Sequence, residues 1–200
     1  MLRILDKNKV PVKGLKKYTD LCIESALELD DRTLSFSAPY RNIRNAIENE
    51  GYIETKDDRY VVKEIEKTSG GTAKIRAQLD LESLEGKAFR EFRSEEQTIR
   101  NALQLAFAGT GWTIGICEVS KKRTLSMSNA SALDVLKQAL KTYRCEITIN
   151  SKDQIIHIYT SVGEDKGCYF SNQLNLTKLT VQSTSYDFYT EIEPYGKDGL

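Results

Sequence analysis

The sequence contains one histidine, His157, and its four cysteines, Cys22, Cys117, Cys145 and Cys168, are spaced too widely to form a CxxC pair. A zinc site needs Cys or His ligands in close-spaced pairs, so no metal centre is expected. His157 sits between isoleucines and has no spaced Ser, Cys or Asp partner, so no catalytic triad is expected either. No stretch approaches the roughly 20 apolar residues of a membrane-spanning helix. The opening Met1-Leu-Arg-Ile-Leu-Asp6 reaches an acid at once, which is unlike a secretory signal. The sequons Asn129-Ala-Ser131 and Asn175-Leu-Thr177 are accordingly read as chance, and the cysteines as reduced thiols in or near cores. Neither charge is in excess: Lys+Arg and Asp+Glu both number 29, which argues against a nucleic-acid binder. The longest basic run, Lys121-Lys-Arg123, reads as a hairpin turn with solvated charges.

Turn chemistry and alternation dominate what is present. Two hundred residues, 40% hydrophobic and 29% charged, suffice for one large domain or two small ones. Residues 1–80 read as β. Leu2–Leu5 is a short strand with a turn at Lys7–Lys9. Leu21–Leu29 alternates with Leu21, Ile23, Ser25, Leu27 and Leu29 inward, turns at Asp30-Asp-Arg32 and returns as Thr33–Ser37. A second hairpin enters at Tyr52–Thr55, turns at Lys56–Arg59 and leaves as Tyr60–Glu66. Ser69-Gly-Gly71 then turns into Ala73–Leu79. Residues 41–49 form a short helix or ordered loop, and Leu81–Phe89 is a connector.

Helical periodicity begins after this connector. Ser94-Glu-Glu-Gln97 has the capping-box form, and Ile99, Ala102, Leu103, Ala106 and Phe107 follow on one face, with Gly109-Thr-Gly111 as the stop. Trp112–Val119 and Arg123–Met127 read as a strand pair. A second helix spans about Ala130–Tyr143, capped by Ser128 or Asn129, with Leu133, Leu136, Leu140 and Tyr143 as its stripe. Glu146–Asn150 and Ile155–Tyr159 form a hairpin turning at Ser151–Asp153. Ile99–Leu103 weakly echoes Leu136–Leu140. Strand alternation resumes from Leu174 and runs through Tyr186, Phe188, Thr190 and Ile192 into the turn formers Pro194–Gly199. The predicted organisation is α+β. An antiparallel, barrel-like β domain from residues 1–80 plus 173–200 holds an inserted α+β domain, 81–172, of two helix-plus-hairpin units. The ending, cut where a hairpin should turn back, is expected to be the front part of a longer protein.

Candidate chemistry is sparse, and no catalytic, cofactor-binding or metal-binding residue is predicted. Gly109-Thr-Gly111 follows a helix, whereas a phosphate loop precedes one, and no GxxxxGK[ST] occurs. The pairs Asp30-Asp31 and Asp57-Asp58 lack a calcium loop's alternating oxygens, and an Arg follows each. Glu64 with Glu66, and Glu191 with Glu193, share strand faces as paired carboxylates do in glycosidases, but solvent-facing Glu is commonplace. Tyr186, Phe188, Tyr189 and Tyr195 suit an interface, ordinary packing or a carbohydrate surface.

Met1-Leu-Arg-Ile-Leu-Asp-Lys-Asn8, Asp20–Ser25, Glu48–Thr55, Gln78–Gly86, Leu140–Ile147 and Tyr186–Gly196 together resemble the N-terminal region of phage minor tail proteins. These are the prophage endopeptidase tail family, also called tail-associated lysins. The resemblance implies a tail-hub fold of tube-like β-barrel domains with smaller α+β insertions. It also implies a trimer that closes the tail tube, with the distal tail protein and the tube and tape-measure components as partners. The location implied is the virion tail tip, reached from the host cytoplasm during assembly. A peptidoglycan hydrolase or host-binding part would lie C-terminal to the hub, and no family catalytic residue maps onto this chain. An enzyme with its site inside these residues, or a carbohydrate-binding module, are the competing expectations.

Overall fold

The computed structural model describes residues 1–25 and 32–163, together with 167 and 178. The chain divides into two compact units, Met1–Val162 and Gly163–Leu200. All elements described belong to the first.

The N-terminal part is one antiparallel sheet. Its strands are β1 (Leu2–Leu5), β2 (Pro11–Leu15), β3 (Thr19–Glu24) and β4 (Thr33–Pro39), then β5 (Tyr52–Glu54), β6 (Arg59–Lys67) and β7 (Thr72–Leu79), with the single turn α1 (Tyr40–Ile43) after β4. Among the described residues the strand order is β2-β1-β5-β6-β7-β4-β3. Alternation directs Leu34, Phe36 and Ala38 of β4, and Ala73, Ile75, Ala77 and Leu79 of β7, into the core. Tyr60, Ile4, Ile53 and Ile43 are almost fully buried beside them. Connectivity dictates the shape. Six inter-strand steps of about 4.8 Å would hold β2 and β3 roughly 29 Å apart in a flat sheet. Yet Lys16, Lys17 and Tyr18 alone join Leu15 to Thr19, a reach of about 14 Å. The sheet therefore curls into a half-barrel.

Beyond it come the single turn α2 (Glu82–Glu85), β8 (Ala88–Thr98), α3 (Ile99–Phe107), β9 (Thr113–Cys117) and β10 (Lys122–Ser131), followed by α4 (Ala132–Tyr143), β11 (Glu146–Asn150) and β12 (Ile155–Tyr159). β8 and β10 form a long antiparallel ribbon, and β11-β12-β9 form a three-stranded sheet. The apolar faces of both helices (Ile99, Leu103 and Phe107; Val135, Leu136 and Tyr143) join the same core as the first sheet.

The α+β class, the hairpins β3–β4, β5–β6 and β11–β12, and the apolar face of α3 agree with the sequence reading. Several finer expectations do not. β2 was not anticipated; its Pro11 and Gly14 are tolerated because it is an end strand of the sheet. Leu21 and Ile23 do not point inward but are 43% and 50% exposed, because β3 projects beyond the core. Cys22 on that strand is exposed too, contrary to the core placement, whereas Cys117 is half-buried and Cys145 buried. Ser94 does not cap a helix. It lies buried inside β8, and Thr98 caps α3 by accepting from the Asn101 N–H. β9 does not pair with β10: it runs parallel to β12, while β10 returns along β8. The first helix-plus-hairpin unit is therefore not formed as such. The cap of α4 is Ser131 rather than Ser128 or Asn129. Residues 164–166, 168–177 and 179–200, with the expected closing strands, the tyrosine cluster and Cys168, lie outside the described residues, as does the Ala26–Asp31 stretch.

Ser131 forms a full capping box: Asp134 N–H donates to Ser131 Oγ at 3.1 Å, and Asp134 Oδ2 accepts from Ser131 N–H at 2.8 Å. Hydrogen bonds from the Ser131 hydroxyl and backbone hold the Asp134 carboxyl below its ordinary value. A depressed carboxylate contributes stability above its unfolded pKa that is lost as pH falls through the folded one. Ser131→Ala is expected to cost about 1 kcal/mol near neutral pH. The deficit should shrink below about pH 4. Urea denaturation of both proteins across pH measures this.

Candidate functional site

Among the described residues, those singled out for chemistry are engaged in structural contacts or lie exposed. His157 lies in β12, where its Nδ1 accepts from the Ile116 N–H at 2.9 Å. A Cβ on Gly115 would lie 2.5 Å from the imidazole, so the ring occupies the space that this glycine leaves. From α3, Arg100 donates to the Ile114 and Gly115 carbonyls of β9 at 3.3 and 2.8 Å. Both side chains thus satisfy backbone groups where the β9–β12 register shifts. Asp58 accepts from Arg32 at 3.1 Å, Glu64 pairs with Arg76 at 3.0 Å, and Glu66 lies exposed opposite Lys74. Gly109 and Gly111 take φ of +82° and +87° just after α3, as a helix stop does. Lys121, Lys122 and Arg123 are exposed at the start of β10. Burial, with Cys117 nearby, pushes the Cys145 thiol up to about 11, which keeps it protonated near neutrality. No group of three or more His, Cys, Asp or Glu able to hold a metal ion occurs among the described residues.

Two other features were not anticipated, one on the surface and one between layers. The first is the pair of end strands of the curled sheet. Val10 to Gly14, and every residue of β3, are exposed. The β2 end carries the aliphatic Met1, Val10 and Val12 with Arg3, Lys13, Lys16 and Lys17, while the β3 end carries Leu21 and Ile23 with Asp20 and Glu24. A whole-chain charge of zero hides this asymmetry. Charge counted over the first 17 residues alone would have found it, since six Lys and Arg there meet one acid, Asp6.

The second is a polar seam between the curled sheet and the β11–β12 turn. Ser151 is fully buried. Its Oγ accepts from the Arg59 N–H at 2.7 Å and donates to the Arg59 carbonyl at 3.0 Å, standing in for a neighbouring strand. The Arg59 side chain pairs with Glu54 at 3.0 Å and Asp80 at 3.7 Å, and Asp80 also takes Lys9 at 2.9 Å. Tyr52 donates to Glu82 at 2.8 Å. Burial first, and then that hydrogen bond, raise the Tyr52 phenol well above its usual range. Burial, followed by the Asp58 charge, pushes the fully buried Tyr60 phenol up to about 12. Trp112 adds a further tie, donating from Nε1 to Ser83 Oγ at 2.9 Å. Each carboxylate in the seam faces a cation, so the cluster suits the fixing of two layers better than proton transfer. Nothing in Ser151-Lys-Asp153 marks this role, because a serine in a hairpin turn is ordinary. Ser151→Ala leaves two buried Arg59 backbone groups with one partner fewer and is expected to cost about 1–3 kcal/mol in chemical denaturation. A raised phenol contributes stability that is lost as pH rises. The Tyr60 share should therefore disappear between about pH 10 and 12, read as a late tyrosine ionisation coincident with unfolding.

Comparison with known proteins follows the same division. Residues 2–78 match the prophage endopeptidase tail N-terminal domain, and residues 88–160 match the prophage endopeptidase tail domain. No curated protein matches the sequence. Among solved structures, the prophage tail protein gp18 of Listeria monocytogenes EGD-e is similar with a TM-score of 0.66 at 14% identity, over 78% of this chain and 49% of that one. The 43 kDa tail protein of prophage MuSo2 from Shewanella oneidensis is similar with a TM-score of 0.57 at 11% identity, over 83% and 56%. The tail protein from Neisseria meningitidis MC58 has a TM-score of 0.56 at 9% identity, over 78% and 50%. At such identities the likeness is one of fold, and the chain spans about half the length of these tail proteins. The two family domains stand in order on that fold and together take in most of the sequence: the chain belongs to the prophage endopeptidase tail family and is a structural component of a phage tail.

Proposed function

We propose that, within the tail hub and baseplate, this chain is the N-terminal scaffold of a tail-associated protein. It would cap the tail tube as a homotrimer and meet the distal tail protein and the tube and tape-measure components. The observation that carries the reading is the succession of the two family domains, the first of them a curled sheet whose end strands are exposed. Such strands suit assembly, because backbone groups left unpaired among the described residues, and exposed aliphatic side chains, gain by being covered. Wall-directed chemistry, an endopeptidase or a host-binding part, would belong to residues beyond this segment. The site of action would be the virion tail tip, after assembly in the host cytoplasm. Residues 1–80 with 173–200 as one domain, and 81–172 as its insertion, form part of the same proposal. It is supported by the confinement of the first sheet to residues 2–79 and by the return of alternation after Leu174.

Light scattering of the full-length protein is expected to give a trimer, and a strictly monomeric full-length protein would count against the hub. A zymogram of this 200-residue chain on bacterial cell walls is expected to show no cleared band. A band lost on substitution within residues 1–200 would move the activity into the segment and overturn the scaffold reading.

A further inference from the structure

The two end strands differ in charge, and the difference selects how they can meet. Lys7 and Lys9 are taken up by Glu48 and Asp80. Arg3, Lys16 and Lys17 pair with no carboxylate among the described residues, and Lys13 donates to the Asn42 carbonyl at 2.5 Å. At the other end Asp20 accepts from its neighbour Thr19, and Glu24 has no cation among the described residues. Lysines on an end strand ordinarily prevent edge-to-edge pairing. Here they bar two β2 edges from meeting, as the acids bar two β3 edges. The unlike pair is the combination that charge favours, because opposite charges across neighbouring strands attract. Shape adds to this. A recess of about 250 Å³ opens along the β2 end, lined by Met1, Arg3, Pro11, Val12, Lys13 and Gly14. The β3 end presents two aliphatic side chains of fitting chemistry, Leu21 and Ile23.

We propose that the β2 edge of one copy docks on the β3 edge of a second copy, head to tail, with Lys13 and Lys16 set against Asp20 and Glu24. An interface between two different patches is heterologous, and it closes into a ring when the rotation between copies permits. The inference rests on the reading of the chain as an assembling tail scaffold, and it names the surface that assembly uses.

Sedimentation of this chain across concentration and salt tests it. The native chain is expected to self-associate at low salt, and less so as salt rises. Lys13→Glu with Lys16→Glu, and separately Asp20→Asn with Glu24→Lys, are each expected to abolish association. Asn is chosen at Asp20 because φ there is +53°, which Asn tolerates. An equal mixture of the two variants is expected to associate again, since each supplies the edge that the other needs. Circular dichroism and denaturation midpoints confirm that both variants are folded. As a second readout, Val12→Cys is expected to form, under mild oxidant, a disulfide with Cys22 of another copy, mapped by mass spectrometry. A native chain that stays monomeric at its highest soluble concentration and forms no such disulfide overturns the proposal. So does association indifferent to both charge changes. Association appearing only on addition of DNA, and lost with Lys13 and Lys16, would give the edge to nucleic acid and equally overturn it. If the full-length protein is trimeric and both variants still assemble, the scaffold reading stands and the edge assignment falls.

Discussion

Three residues, Lys16 to Tyr18, join the two end strands of a seven-stranded sheet, and the rest of the molecule follows from that short tether. A flat sheet would need about twice the span they can supply. The curl that results brings Leu34, Phe36, Ile53, Tyr60 and Ile75 around one centre, so the sheet has an enclosed face as well as an open one. It also leaves β2 and β3 each bonded along one side, among the described residues, and projecting past the core. The tether therefore determines both where the hydrophobic mass is concentrated and where backbone remains available for other chains.

Arg59 is the second point on which the arrangement turns. Its backbone is the start of β6, yet both of its peptide groups are also bonded by a side chain that lies 92 residues further on. Its guanidinium is shared between two carboxylates, and its carbonyl additionally accepts from the Asp80 N–H at 2.9 Å. One residue thus orders the β5–β6 turn, the exit from β7 and the approach of the β11–β12 turn. Such convergence ties three separate stretches of chain to a single side chain and its peptide groups.

The sequence made local features readable and left distant ones hidden. Asp57-Asp58 and Ser69-Gly-Gly71 announce turns, and Ile99 to Phe107 announces a helix, because each signal lies within a few residues of its effect. Ser94 to Gln97 misled: a capping box and a stretch of ribbon strand can share four letters, and the pairing of Ser94 with Leu125 and of Gln97 with Arg123 on β10 decided for the strand. The partner of β9 lies some forty residues away and runs parallel, which no turn signal reports. Leu21 and Ile23 alternate like core residues although no core reaches them, since alternation specifies a face but not what covers it. Ser151 and Arg59 leave no local mark because each is bonded to a stretch distant in sequence, Ser151 to the Arg59 backbone and Arg59 to Asp80.

Tyr143 closes the last turn of α4, and its hydroxyl lies 2.7 Å from the Gln97 carbonyl and 3.2 Å from that of Arg123, donating between them. Gln97 adjoins the start of α3, and Arg123 adjoins the register shift in β10. The chain from Arg123 through the ribbon and α4 is thereby a closed loop clasped by one phenol. In mechanical terms the ribbon's bulged end is a clamped joint and not a free hinge. A displacement of the bulged end of β10 therefore reaches the end of α4 and the approach to α3 through one hydroxyl.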